Sequence, residues 1–280
     1  VLGPDGVLYA TTYDEMVRAI RTSDGKVLWS QTTNSIDPRV MGGGGKAVFV
    51  AVGANRTDAL DTRDGSSLGT FIDPVYGGSF VWGWGAWTMA WDLQISFGNR
   101  YVFDTCGKHK WTGEPKGAGV VVPGELFAIS DSLQVGSLSL FDMTGKIVAG
   151  PSPAEGWAMA VGADGTIYTY RSQSGTFPAY NRLPAYSAEL KELWRIDLTG
   201  ESSLGINGNV VLDDDGVLYL MRPTEDANTE LLAIQTRSPG LADSSWPSLR
   251  HDNRGTAWLV PGTPANSTPP DAATGDAIVI

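Results

Sequence analysis

The most constraining feature of this sequence is a unit that returns about every forty residues, marked by two landmarks in phase. The first is Asp5-Gly6-Val7-Leu8-Tyr9. It recurs as Asp164-Gly165-Thr166-Ile167-Tyr168 and Asp215-Gly216-Val217-Leu218-Tyr219, with looser copies at Gly45-Lys46-Ala47-Val48-Phe49-Val50 and Pro123-Gly124-Glu125-Leu126-Phe127-Ala128. Position 6 aligns with 46, 125, 165 and 216, giving steps of 40, 79, 40 and 51 residues; 79 is two units and 51 is one unit with an insertion. The second landmark is Asp24-Gly25-Lys26-Val27-Leu28-Trp29. It recurs at Asp64-Gly65, Cys106-Gly107-Lys108-His109-Lys110-Trp111 and Thr144-Gly145-Lys146-Ile147-Val148, with glycines 40, 42 and 38 residues apart. A degenerate fifth copy is Leu190-Lys191-Glu192-Leu193-Trp194, and Leu232-Ala233-Ile234-Gln235-Thr236 followed by Pro239-Gly240 supplies a sixth.

Each landmark is a tight turn feeding a strand. Asp-Gly suits hairpin turns because Gly accepts positive φ, and the Val, Leu, Tyr and Trp that follow favour strands. The run Ala47-Val48-Phe49-Val50-Ala51-Val52 suits a strand covered on both faces. No long helical pattern with caps is present; the best candidate, Tyr186 to Ile196, is short and ends in Leu193-Trp194 where the repeat calls for a strand. A forty-residue unit of short strands cannot bury its own faces, so four-stranded sheets must pack on one another around an axis. The expected fold is all-β, a β-propeller of four-stranded blades. Six units are readable, starting near residues 1, 37, 76, 116, 152 and 200. Six or seven blades are favoured, and eight also fit. The chain opens inside a repeat, so either a C-terminal strand or upstream sequence completes the first blade. Residues 1–259 form one propeller domain. Residues 260–280, rich in Pro, Thr and Ala, read as an extended or disordered tail.

The pattern of a Gly-x-x-Tyr/Phe strand followed by Ala/Leu-x-Asp/Arg-x-x-x-Gly-Lys-x-x-Trp resembles the quinoprotein-type (PQQ-like) repeat β-propeller family, in particular its non-enzymatic bacterial members. Leu140-Phe141-Asp142-Met143-Thr144-Gly145-Lys146 and the segment Val102 to Trp111 carry the likeness most closely. The resemblance implies that Trp29, Trp111 and Trp194 pack between adjacent blades. It implies that Trp246-Pro247-Ser248-Leu249-Arg250-His251-Asp252-Asn253 helps close the ring against the first blade. It also implies export to the periplasm, the outer membrane or the extracellular space. Quinone-dependent members need a cofactor, calcium and commonly a vicinal disulfide. This chain has one cysteine, Cys106, and no transferable ligand set, so no cofactor, catalytic residue or metal ligand is assigned.

Composition narrows the partners. Twenty basic against 31 acidic residues give a net charge of −11, which argues against a nucleic-acid backbone as partner. No stretch approaches the ~20 apolar residues that a spanning helix needs.

Asp213-Asp214-Asp215-Gly216 has the opening of a calcium loop but lacks downstream ligands, and reads as a hairpin turn. Cys106 and His109 have metal-like spacing without two further ligands. His251-Asp252 lacks a nucleophile context. The densest oddity is Phe80 to Trp91, with Trp82, Trp84, Trp87 and Trp91 in ten residues. Indoles serve equally to fill space between sheets and to hold sugars, peptides or cations. Trp82, Trp84, Trp87 and, from the insertion at 169–193, Tyr180 are the candidate binding residues. A second insertion is Arg222 to Asn228. The expected function is a non-enzymatic platform for another protein, or a structural subunit of a larger assembly. The alternative is carbohydrate or small-ligand binding through the Trp-rich stretch, and a quinone-dependent dehydrogenase ranks below both.

Overall fold

The computed structural model describes residues 1–35, 38–52, 56–72, 88–89, 95–97, 101–103, 109–112, 119–124, 126–130, 137–142, 144–152, 157–173, 180–198, 210–223, 229–244, 248 and 258–259. Every regular element among them is a strand. The strands form six antiparallel sheets in chain order. The first holds β1 (Val7–Thr12), β2 (Met16–Arg21) and β3 (Val27–Thr32). The second holds β4 (Arg39–Gly44), β5 (Ala47–Val52), β6 (Arg56–Asp61) and β7 (Ser67–Ile72). The third holds β8 (Thr88–Met89), β9 (Ile95–Phe97), β10 (Tyr101–Phe103) and β11 (His109–Thr112). The fourth holds β12 (Gly119–Val122), β13 (Leu126–Ser130), β14 (Leu138–Phe141) and β15 (Ile147–Ser152). The fifth holds β16 (Trp157–Val161), β17 (Ile167–Gln173), β18 (Tyr180–Tyr186) and β19 (Glu192–Leu198). The sixth holds β20 (Val211–Leu212), β21 (Val217–Pro223) and β22 (Thr229–Gln235). A last strand, β23 (Trp258–Leu259), joins the second sheet beside β4, in parallel.

The landmark turns behave as their composition requires. Gly6, Gly45, Gly124, Gly165 and Gly216 all have positive φ, and each leads into the second strand of its unit. In the first sheet that strand is β1, and the stub Val1–Gly3 runs antiparallel to it: the Tyr9 N–H donates to the Val1 carbonyl at 2.8 Å. Tyr186 to Ile196, the best helical candidate, is the end of β18, a turn and the start of β19.

One cross-strand row repeats through the sheets. It reads Tyr9–Ala19–Trp29 in the first, Phe49–Ala59–Gly69 in the second, Ser96–Val102–Trp111 in the third. It continues as Ala128–Leu140–Ala149 in the fourth, Tyr168–Ala185–Trp194 in the fifth and Tyr219–Ala233 in the sixth. In all five sheets that have a third and fourth strand, the register shifts immediately after the middle residue of this row. Such a bulge strengthens the local twist, and twist is what lets small sheets stack like wedges.

In the first and fifth sheets side-chain size alternates along the row for a geometric reason. Residues two strands apart are separated by about 10 Å of backbone, and large side chains meet over that span only if the one between is small. Over Ala19, the Tyr9 and Trp29 rings lie 5.9 Å apart; over Ala185, Tyr168 and Trp194 lie 6.0 Å apart. In the fourth sheet the order inverts, with Leu140 between two alanines.

The row faces the following sheet. Val7, Tyr9, Val17, Ala19 and Trp29 pack on Val48, Val50 and Leu60 of the second sheet. Ala128, Leu138 and Leu140 pack on Val161, Ile167 and Tyr186 of the fifth, and Tyr168, Leu183 and Ala185 pack on Leu212, Leu218 and Leu220 of the sixth. The core is therefore a series of seams between successive sheets.

Two seams reach the same packing from opposite sides. Trp29 crosses to the second sheet, where its indole N–H donates to the Thr62 carbonyl at 2.9 Å and its ring covers Gly65. A Cβ on Gly65 would stand 2.6 Å from that ring. In the fourth sheet the Trp29 position is Ala149, and the neighbour's Gly65 position is Leu190, buried in the same cluster as Ala149. Leu190 fills the space that an indole fills elsewhere, and does so with φ at 62°. Trp29 is thus a seam residue, and Trp194 packs partly buried against the fifth-to-sixth seam. For Trp111 only the backbone pairing with Val102 is described.

The described residues after β22 run along the first strands of other sheets; of the segment 246–253, expected at the first sheet, only Ser248 is described. Gly240 accepts from the Ala163 N–H and Ala242 donates to Val161, both at the end of β16. The Ser244 hydroxyl donates to the Val121 carbonyl in β12 at 2.5 Å, Ser248 bridges Ala160, and Trp258–Leu259 pair with Gly43–Gly44 of β4. Leu241 lies in the fifth-to-sixth seam and Ala242 in the fourth-to-fifth.

Candidate functional site

Strand order gives each sheet two unlike ends. The first-to-second and third-to-fourth turns share one end; the second-to-third loops and the connections between sheets share the other.

At the turn end, side-chain oxygens are used to hold the turns. Asp142 accepts from the Thr144 and Lys146 backbone N–H groups at 2.9 and 3.0 Å, and the Ser187 hydroxyl plays this part at 189 and 191. Asp61 is fixed by the Arg63 guanidinium at 2.7 Å and by its backbone N–H, which hold the Asp61 carboxyl down at about 2. The Asp213 carboxylate accepts from the backbone of Asp215 at 3.1 Å and Val217 at 2.7 Å. The Asp213–Gly216 run is therefore a hairpin turn that occupies its own acceptor. Among the described residues no group of three or more His, Cys, Asp or Glu is gathered as a metal site would need. Cys106, His251 and Asp252 lie outside the described residues, and His109 is placed only as the first residue of β11.

The two perturbed tyrosines of the seams are structural. Burial, then the Asp5 carboxylate, pushes the Tyr9 hydroxyl up to about 12; burial likewise raises Tyr168.

Of the candidate binding residues, the structure describes Tyr180. β7 finishes at Ile72 and β8 begins at Thr88, so Trp82, Trp84 and Trp87 belong to a connection between the second and third sheets. These three lie outside the described residues. Tyr180 opens β18 and pairs with Gln173 at the tip of the β17–β18 hairpin, the end away from Gly165. The strand ends that bracket the Trp-rich connection and the strand end that bears Tyr180 thus both belong to the loop end of their sheets. The segments 174–179 and 224–228 leave from that end as well. No helix among the described residues is long and apolar enough to cross a membrane.

Sequence reasoning missed the residues after Ser238. Leu241, Ala242 and Ser244 are buried, but they belong to no repeat, and their spacing marks neither strand nor turn.

No family model and no curated protein matches the chain. Solved structures do resemble it. BamB from Moraxella catarrhalis, a β-propeller, matches with a TM-score of 0.50 at 15% identity, over 84% of this chain and 71% of BamB. The computationally designed Ika8 protein matches with a TM-score of 0.56 at 8% identity, over 82% of this chain and 68% of Ika8. At these identities the likeness is one of fold.

Proposed function

We propose that the six sheets are blades of one β-propeller, with residues 1–259 as its body and 260–280 as a tail. We infer that it serves as a non-catalytic platform for another protein, within a larger exported assembly of the cell envelope or extracellular space. The observation that carries this reading is the division between the two ends of the sheets. One end is tied up in tight turns, in which the Asp142 and Asp213 carboxylates bind their own backbone. The other gathers the long connections, including the Trp-rich one, whose indoles bury area at little entropic cost. The fold likeness to BamB supports an envelope role. The net charge of −11 fits a protein partner better than a polyanion.

The test is affinity capture from detergent-solubilised envelopes of the source cells, comparing the wild type with a Trp82→Ala/Trp84→Ala/Trp87→Ala variant. A partner retained by the wild type, and lost from a variant with unchanged unfolding midpoint, is the expected result. Equal recovery by both contradicts the assigned surface. Binding to a glycan array that the same variant loses, with no protein partner, would favour the carbohydrate reading instead.

A further inference from the structure

Opposite the trailing row lies a leading row, and in the first-to-second, fourth-to-fifth and fifth-to-sixth seams the trailing row of one sheet presses on the leading row of the next. The leading rows are Val48–Leu60 in the second sheet, Val121–Phe127–Phe141 in the fourth, Val161–Ile167–Tyr186 in the fifth and Leu212–Leu218 in the sixth. All of these residues are buried. The first sheet has the same row, Leu2–Leu8–Ile20, and here it is open: Leu2 is 45% exposed and Leu8 37%.

The sixth sheet shows the complement. Its leading residues Leu218 and Leu220 are buried in the seam with the fifth sheet. Its trailing face carries Tyr219 and Ala233, the equivalents of Tyr168 and Ala185, flanked by the register pair Met221–Leu231. Met221 is 46% exposed and Leu231 66%. Where the fifth sheet buries Tyr170 and Leu183, the sixth shows apolar side chains to water. Among the described residues, no apolar cluster joins the sixth sheet to the first.

Apolar rows that are covered in the second, fourth and fifth sheets and bare on one face of these two are halves of seams that are not made. We propose that the trailing face of the sixth sheet and the leading face of the first are the walls of a slot that takes a further four-stranded sheet of this same repeat. The chemistry of the occupant follows from the seams on the page. Toward Tyr219 and Leu231 it presents a row of Val, Leu or Ile, as Leu218 does to Tyr168. Toward Leu8 and Ile20 it presents a Tyr-Ala-Trp or Ala-Leu-Ala row, as the first and fourth sheets do to their neighbours. The inference rests on exposure and register alone, and holds whether or not the Trp-rich connection binds a protein.

The test uses the 280-residue chain with Cys106→Ser and spin labels at Leu8→Cys and Leu231→Cys, measured as a monomer by native mass. Packed sheets lie about 10 Å apart, so a slot one sheet wide separates the labels by about 20 Å or more, and that is the expected distance. In the second arm, a copy of residues 157–198 is joined ahead of Val1 through a copy of connector 153–156. Fluorescence of a hydrophobic dye bound by the original chain should then fall severalfold, and Leu8→Asp should restore it. Labels only about 10 Å apart in the monomer would mean that the six sheets close on themselves, and would overturn the proposal. A dimer dissociated by Leu231→Asp would overturn it too, by making a second copy the occupant. An extended chain that folds and keeps its full dye signal would also count against it.

Discussion

Trp29 and Gly65 are one feature seen from two sheets. The indole needs a flat landing, and the turn needs positive φ; a glycine with φ at 73° meets both demands. Gly65→Ala should therefore cost about 2–4 kcal/mol, from left-handed strain plus overpacking against the ring. Urea unfolding checks this, and the cost should shrink in a Trp29→Ala background, because the clash is then gone. If the two penalties simply add, the contact is not the cause. Tyr9 supplies a pH test. Its hydroxyl keeps its proton to about 12 in the folded protein, against an ordinary value of 10.0. An unfolded chain releases that proton first, so the stabilisation is whole below pH 10 and is lost as pH rises from 10 towards 12. Tyr9→Phe should reduce this alkaline loss without abolishing it, since Tyr168 is raised for the same reason. Midpoints measured from pH 8 to 12 decide it.

At the scale of the element, the turns were legible, and of the seams only Trp29 and Trp194 were, through the resemblance rather than the local pattern. Gly6, Gly25, Gly65 and Gly145 announce hairpins because few residues other than glycine adopt their φ. The fifth sheet hides its turn behind Leu190, which pairs a strained φ with a buried side chain; read alone, it is merely one more leucine. The seam explains it, since Ala149 opposite leaves room that must be filled. Leu190→Gly should cost about 2–4 kcal/mol, the cavity outweighing relief of the left-handed φ. Ala149→Trp alone should overpack the seam by about 1–3 kcal/mol. The double variant, which copies the first seam into the fourth, should recover at least half of the summed loss; purely additive losses would show that the two seams are not interchangeable. Leu8 and Leu231 make the same point about exposure. Both are as apolar in sequence as Val48 or Leu218, and burial is decided by what stands opposite, which the repeat does not encode.

For the whole molecule, the segment after β22 is the feature least visible in the sequence. Residues beyond the last repeat tie the fourth, fifth, sixth and second sheets together through Leu241, Ala242, Ser244 and β23. Local patterning carries no record of such long-range contacts. Leu241→Ala should destabilise the chain by about 2–5 kcal/mol, as in a well-packed core; a loss below about 1 kcal/mol in thermal unfolding would mean that the segment only rests on the seam. The candidate site was legible as chemistry, in Trp82, Trp84 and Trp87, whereas the end of the sheets at which the strands bracketing them stop and start follows from the strand order. The measurement that tests the platform most directly is the native mass of the protein as isolated from its source, before and after mild dissociation. A mass well above 29.8 kDa that falls to the single chain on dissociation, and that the triple tryptophan variant fails to reach, is the predicted result. A chain that runs alone under every condition would contradict it.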